Sequence, residues 1–208
     1  MKTRTIDTDP VDPTHRTDQA DLVRWAKHGV IGGLLAGVLF ALFEMVMATV
    51  QMGSEAFFMP LRMIGGIALG SQALEPSTSL LEAGGIGIAV HMMLSVIFGA
   101  SVAVVAGRVA PIRSSTVALI AWTSLAGLVA PIRSSTVALV AWTSLAGLIL
   151  WLVNFYVVAP IGGWRWFPDG TDPVIQFIAH TFVFGSLLGL YLDRTVRARR
   201  SDPQLSRG

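Results

Sequence analysis

The sequence has no cysteine and few charged residues. The absence of cysteine excludes disulfides, thiolate metal sites and cysteine nucleophiles. Only 13% of the 208 residues are charged, whereas a soluble domain carries about 25%. The hydrophobic share is 53% and the mean hydropathy is +0.64. The formal net charge is only +2, so nucleic acid is not an expected partner. These values predict an integral membrane protein whose immediate partner is the lipid bilayer.

Charge is almost absent from four long apolar runs, in which Glu44 is the only charged residue. A helix needs about 20 such residues to cross a bilayer. Strands would alternate with period two, and these runs do not. We therefore predict an all-α polytopic transmembrane bundle, because a helix satisfies its own backbone amides in lipid. The four predicted spans are residues 29–50, 83–107, 136–159 and 173–192.

The remaining segments flank this helical domain, which we place at residues 21–193. Residues 1–20 are polar and are predicted to be a disordered cytoplasmic tail. Residues 194–208 are predicted to be a basic cytoplasmic tail. Residues 57–69 are apolar but too short to cross, and they contain Pro60 and Arg62. They predict a short interfacial or re-entrant helix at the outer side.

A near-perfect tandem repeat complicates the third span. Residues 109–128 and 129–148 differ only at Ile120 and Val140. The unit is shorter than one span, so a duplication explains it better than a transporter repeat, which comprises several spans. We expect the first copy to form an extra helix on the cytoplasmic side that does not cross.

The distribution of Lys and Arg supports four spans. With four, every Lys and Arg except Arg62 and Arg165 lies on one side of the membrane. A fifth span through the first repeat copy would divide them eight against seven. Positive residues favour the cytoplasmic side. The expected arrangement is a multi-pass protein with both termini in the cytoplasm.

Each predicted span contains one strongly polar residue. These are Glu44, His91, Asn154 and His180, and the alternating direction of the spans puts all four roughly 8–12 Å below the outer interface. Ser95 and Gln176 share helix faces with His91 and His180, and Arg62 lies nearby at the outer side. An ionisable group inside a membrane is a functional-site hypothesis by default. We predict a buried polar cluster of Glu44, His91, Asn154 and His180, with Ser95, Gln176 and Arg62 as secondary candidates.

The cluster admits several interpretations. It can fix the register of four apolar helices, or it can bind a metal, haem or protons. Two imidazoles and a carboxylate suit a transition metal, with His91, His180 and Glu44 as ligands. The two histidines could also be axial ligands of haem. Glu44 with a histidine could form a proton relay. Methionines near this depth suit Cu(I), although methionine more often fills apolar gaps; they are Met45, Met47, Met52, Met59, Met63, Met92 and Met93.

Small residues predict where the helices approach each other. Gly33 and Gly37 lie four residues apart in the first span, and so do Gly185 and Gly189 in the fourth. Such spacing lets helix backbones pack closely in lipid. Glu44 lies within about 40° of the glycine face at 100° per residue. Its carboxyl group is therefore expected to face the bundle rather than lipid.

Several segments resemble a group of uncharacterised small four-span membrane proteins of bacteria and some archaea. The segments are FEMV around Glu44, FFMPLRMIGGIALG, HMMLSVIFGA from His91, WLVNFYVVAPIGGW and PVIQFIAHTFVFGSLLGLYL. The resemblance covers most of residues 29–192, apart from the inserted copy. It implies a bacterial inner (plasma) membrane location and no particular activity.

Two functions are consistent with the sequence. The first is a structural or accessory role through association with other membrane proteins or with itself. The second is binding of haem, a metal or protons by the polar cluster. No Walker phosphate loop or Ser-His-Asp pattern in the required context is present, so an enzyme is not the favoured interpretation.

Overall fold

The computed structural model describes residues 13–112 and 136–197. These residues are almost entirely helical and contain no strand. The two predicted tails lie mostly outside them, and so does most of the predicted extra helix in the first repeat copy. Residues 13–20 differ from the prediction of a disordered tail, because they form the first turns of a long helix. Proline is well suited to the first turn of a helix, and this helix begins at Pro13.

Six helices, α1–α6, carry the architecture of the described part. The first three are α1 (Pro13–Met52), α2 (Met59–Leu69) and α3 (Leu80–Ile112). Short 3₁₀ turns at Ser54–Ala56 and Gly70–Leu74 flank α2. Helix α4 comprises Thr136–Val153, a π-helical turn at Asn154–Val158, and Ala159–Gly162. After the short α5 (Trp166–Asp169), α6 comprises Pro173–Ile178, Ala179–Ser186, Leu187–Leu192 and Asp193–Arg197.

Within the described ranges, five helical segments are long and apolar enough to cross a membrane. Four of them, Gln19–Met52, Leu80–Arg108, Leu139–Gly162 and Pro173–Thr195, contain most of each span predicted from sequence. The fifth, Ser54–Leu74, includes the predicted outer helix. The described part is therefore the all-helical framework of a membrane-embedded protein.

Helices α1 and α3 pack antiparallel through small residues. A Cβ on Gly29 would meet the carbonyl oxygen of Gly99, and one on Gly33 would meet that of Ser95. Further along α1, Gly37 faces Ser95 and His91. Successive positions on α1 therefore meet progressively earlier positions on α3. The missing side chains let the two backbones approach closely enough to bury both glycine faces.

Helix α6 lies antiparallel to both α1 and α4. On α1, Gly32 lies against Leu188 and Tyr191, while Glu44 near the other end bonds to Gln176. On α4, Gly147 lies against the carbonyl group of His180. The hydroxyls of Ser144 and Ser186 lie 3.0 Å apart, and Thr136 donates to Asp193. The helices thus follow the spatial order α3, α1, α6, α4, and α3 scarcely touches α4.

The glycines of α6 lie against the repeat-derived part of α4. A Cβ on Gly185 would meet the backbone of Thr143 and Ser144, and one on Gly189 would meet the Thr143 hydroxyl and Val140. Thr143 itself is almost fully buried, at 1% exposure. Its hydroxyl donates to the carbonyl of Leu139. Residues 136–148 of the second repeat copy are therefore part of the packed helical framework.

Helix α2 is held against the first part of α3. A Cβ on Gly65 would meet the Ala83 carbonyl, and one on Gly87 would meet the Leu61 carbonyl. These pairings make α2 antiparallel to α3. Arg62 donates to the carbonyls of Glu75 at 2.6 Å and Thr78 at 2.9 Å. Arg62 therefore fixes the connection between α2 and α3.

Candidate functional site

A cavity of about 610 Å³ lies among α1, α2, α3, α4 and α6. Because α3 and α4 scarcely touch, these two helices form opposite walls, with α1 and α6 between them. The lining includes all four residues of the predicted cluster, together with Ser95 and Gln176. Arg62 is not part of the lining. The cavity extends to Gln51 and Asp172, which bond to each other at 3.0 Å where α1 ends and α6 begins.

Glu44 lines this cavity and is only 9% exposed. Its Oε2 accepts a hydrogen bond of 2.7 Å from Nε2 of Gln176. Its Oε1 is buried and has no hydrogen-bond partner among the described residues. Buried polar atoms are normally paired, because losing water without a replacement bond is costly. Glu44, which lines the cavity, thus has one carboxyl oxygen without a hydrogen bond.

His91 ties α3 to α1 across their glycine contact. Its Nε2 lies 2.9 Å from the carbonyl oxygen of Gly37. A carbonyl only accepts, so Nε2 carries the hydrogen and Nδ1 is the acceptor of the neutral ring. Ser95 donates to the His91 carbonyl at 2.7 Å. A side chain on Gly37 would collide with Ser95, so this glycine makes the histidine contact possible.

His180 has the complementary arrangement on α6. Its Nδ1 lies 2.9 Å from the carbonyl oxygen of Gln176, one turn earlier. Nδ1 therefore donates, and Nε2 is the acceptor of the neutral ring. The ring meets Phe155 edge-to-face, with centroids 5.6 Å apart. Gln176 consequently contributes twice, since its side chain binds Glu44 and its backbone orients His180.

Phe40 joins the two histidines and is absent from the residues that the sequence singles out. Its ring centroid lies 5.4 Å from that of His91 and 4.8 Å from that of His180. Phe40 is buried in the core with Trp25, Ala36 and Phe184. A phenylalanine in an apolar span carries no polar signal. Its position four residues before Glu44, on the same helix face, is the one available clue.

Asn154 lines the cavity but is separate from the bonded groups. It is half-buried and begins the π-helical turn of α4. Pro160 has no N–H to donate to the carbonyl of Tyr156, which accounts for a wider turn at this point. The amide of Asn154 makes no bond to Glu44, His91 or His180. The structure therefore brings all four predicted residues to one cavity, but no two of them bond to each other.

The described residues do not form a complete set of ligands for a metal ion. They contain no group of three His, Cys, Asp or Glu side chains close enough to hold a metal ion. A metal or haem at the histidines would have to use Nδ1 of His91 and Nε2 of His180. Phe40 contacts both rings and occupies space between them. Of the predicted methionines, the cavity lining includes Met47, Met52, Met59, Met63 and Met93.

The loop before α6 closes one side of the cavity. Trp166 donates from Nε1 to the Met63 carbonyl at 2.9 Å, and its ring lies against Gly66. Asp172 caps α6 by accepting from the backbone N–H groups of Val174 and Ile175. Trp164 and Phe167 of the same loop line the cavity. The sequence, in which this loop simply follows the third span, gives no sign of that contribution.

Comparisons with protein-family models, with curated proteins and with solved structures found no match.

Proposed function

We propose that this chain is a four-span bacterial inner-membrane protein that binds a small amphiphilic molecule in the cavity between its helices. The observation that carries this proposal is the pairing of a large, largely apolar cavity with a buried carboxylate oxygen that lacks a partner among the described residues. Ligand sites are typically apolar clefts with a few placed polar groups. The ligand's apolar part would fill the cavity, and its polar part would meet Glu44.

The antiparallel helix contacts support four spans. If α1 runs outward, α3 runs inward, so the segment between them starts and ends at the outer side. Helix α2 then re-enters without crossing. The continuous α-helix has 11 residues and extends only about 16 Å, against a hydrocarbon core of about 30 Å; the 21-residue segment Ser54–Leu74 reaches a spanning length only with the 3₁₀ turns at both ends of α2. Likewise α4 runs outward and α6 inward, which returns both ends of the chain to one side.

The positions of Lys and Arg support placing the side that holds both ends of the chain in the cytoplasm. Arg24, Lys27, Arg108 and Arg194 lie at the end of the bundle where α1 begins and α3 and α6 finish. Arg62 and Arg165 lie toward the other end. Positive residues near spans favour the cytoplasm. The bacterial inner membrane remains part of the proposal, as the resemblance implies.

The binding proposal is testable because the chain lacks cysteine. A cysteine at Ala68, which is exposed and lines the cavity, can carry an environment-sensitive dye such as acrylodan. In phosphatidylcholine nanodiscs, 1-decanol should give a saturable change in its emission. The same dye at Leu81, which is 86% exposed and outside the lining, should respond only to partitioning, without saturation. Equal, non-saturating responses at both sites would refute the binding function.

A cavity-filling pair provides a second control. Val90 lines the cavity, whereas Ile88 on the same helix is 50% exposed and does not. Val90→Trp should abolish the saturable response of the Ala68 reporter, and Ile88→Trp should preserve it. Both changes add a tryptophan to α3, so a difference between them reports occupancy of the cavity.

A structural role for the same cluster is the second candidate. The bonds from Gln176 to Glu44 and from His91 to Gly37 join different helices, which favours it. Its expected signature is loss of folded protein when these bonds are cut. The binding function instead predicts folded protein that no longer binds, as in Val90→Trp.

A further inference from the structure

The charged groups lining the cavity are of one sign. Glu44 and Asp172 line it, and no Lys or Arg does so among the described residues. We propose that the ligand is a hydrophobic cation, an ammonium group on an apolar body, whose charge lies beside Glu44. This proposal rests on the proposed function, because it specifies which amphiphile the cavity takes.

The free oxygen of Glu44 is the first support. Oε1 is buried without a partner in the described part of the chain, while Gln176 already occupies Oε2. An isolated carboxylate in an apolar interior is costly, and a cation in contact with it offsets that cost. The fixed bond to Gln176 holds the carboxyl group in one orientation. Oε1 is thus the carboxyl oxygen whose charge no donor of the described residues offsets.

Most of the other polar groups of the lining already use a donor within the protein; the exceptions are the amide of Asn154 and the indole of Trp164. The hydroxyls of Ser95 and Thr171 donate to backbone carbonyls. The amides of Gln51 and Gln176 donate to carboxylates. Each histidine uses its ring N–H on a carbonyl, which leaves a lone-pair nitrogen. A ligand bearing hydrogen-bond donors or positive charge matches these acceptors better than an anion does.

Aromatic faces provide the third support. Six aromatic side chains line the cavity: Phe40, Phe98, Phe155, Trp164, Phe167 and Phe184. Aromatic rings attract cations within about 6 Å of the ring centroid, particularly when the cation is desolvated. Five methionines also line the cavity, and their flexible thioethers fit apolar bodies of varied shape. The lining therefore suits a class of hydrophobic cations more than one rigid molecule.

The test compares three probes of equal chain length: decyltrimethylammonium, 1-decanol and decanoate. Binding is read from the acrylodan reporter at Ala68→Cys in zwitterionic phosphatidylcholine nanodiscs. Glu44→Gln keeps the shape of the side chain and an oxygen for Gln176. It should weaken decyltrimethylammonium at least tenfold more than it weakens decanol. Glu82→Gln, at an exposed carboxylate on α3 outside the lining, should change neither.

The outcomes separate the two proposals. If decanol and decyltrimethylammonium both saturate the reporter but Glu44→Gln weakens them equally or not at all, the cation proposal is wrong and ligand binding stands. If no probe saturates it, the proposed function fails as well. Should Glu44→Gln not fold, the wild-type chain still decides. Decanoate must then bind at least tenfold more weakly than decyltrimethylammonium, and equal affinities would overturn the proposal.

Discussion

The side chain of Gln176 donates a hydrogen bond of 2.7 Å to Glu44 across a separation of 132 residues. This bond joins the first and last long helices of the described chain at the wall of the cavity. It also leaves one carboxyl oxygen unused. A single amide therefore connects the packing of the bundle to the chemistry of its candidate site.

Loss of that amide should destabilise the fold. In Gln176→Leu both oxygens of Glu44 would lack a partner, so we expect a loss of about 2 kcal/mol in the free energy of unfolding. Thermal unfolding in detergent, followed by circular dichroism, measures it. Gln72→Leu, at an exposed position, is the matched control. Equal stability of the two variants would mean that the bond to Glu44 contributes nothing.

The glycine contact between α1 and α3 gives a second prediction. In Gly37→Ala the added Cβ would lie about where the Ser95 side chain is now, within 2.7 Å of its Cβ. Forcing the helices apart should cost roughly 1–3 kcal/mol and weaken the bond from His91 to Gly37. Gly85→Ala is the control, because an added Cβ there would have no neighbouring atom within 4 Å.

The control is expected to change in the opposite direction. Alanine at an exposed helical glycine stabilises a helix by up to about 1 kcal/mol. Chemical unfolding of the two variants side by side should therefore give changes of opposite sign. If Gly37→Ala is as stable as Gly85→Ala, α1 and α3 do not approach each other closely at Gly37.

A tryptophan pair tests how α2 is held. Trp166→Phe removes the 2.9 Å bond to the Met63 carbonyl, so we expect α2 to loosen and its backbone amides to exchange faster with deuterium. Trp151→Phe removes an indole N–H that is buried without a partner among the described residues, and it should leave the exchange of the α2 amides unchanged. Similar exchange rates of α2 in both variants would argue against a role for the Trp166 bond in holding this helix.

The sequence predicts the depth of the polar residues in the site but not their hydrogen-bond partners. The depth of Glu44, His91, Asn154 and His180 follows from counting residues along spans, and all four line one cavity. The choice of partners does not follow from depth. The sequence predicts only that Gln176 shares a face with His180, yet its amide binds Glu44 on another helix. Such choices depend on helix rotation and separation, which apolar runs do not encode.

Two local features limit the prediction further. The π-helical segments at Asn154–Val158 and Ala179–Ser186 interrupt the regular 100° step on which face assignments rest. Phe40 contacts both histidines but resembles any other apolar span residue. Helix type and approximate span bounds are thus accessible from composition, whereas the internal surface of the cavity depends on tertiary packing.

The path of α2 gives the last prediction. Because α1 and α3 are antiparallel, Glu55 and Ser77 should lie on the same side of the membrane, although an apolar helix separates them. Both residues are exposed, and the cysteine-free background allows Glu55→Cys and Ser77→Cys to be labelled singly. In intact cells a membrane-impermeant maleimide should modify both, while Arg108→Cys, exposed at the other end of α3, should react only after permeabilisation. If Ser77→Cys instead reacts only after permeabilisation while Arg108→Cys reacts in intact cells, α2 crosses the bilayer and the chain has an additional span.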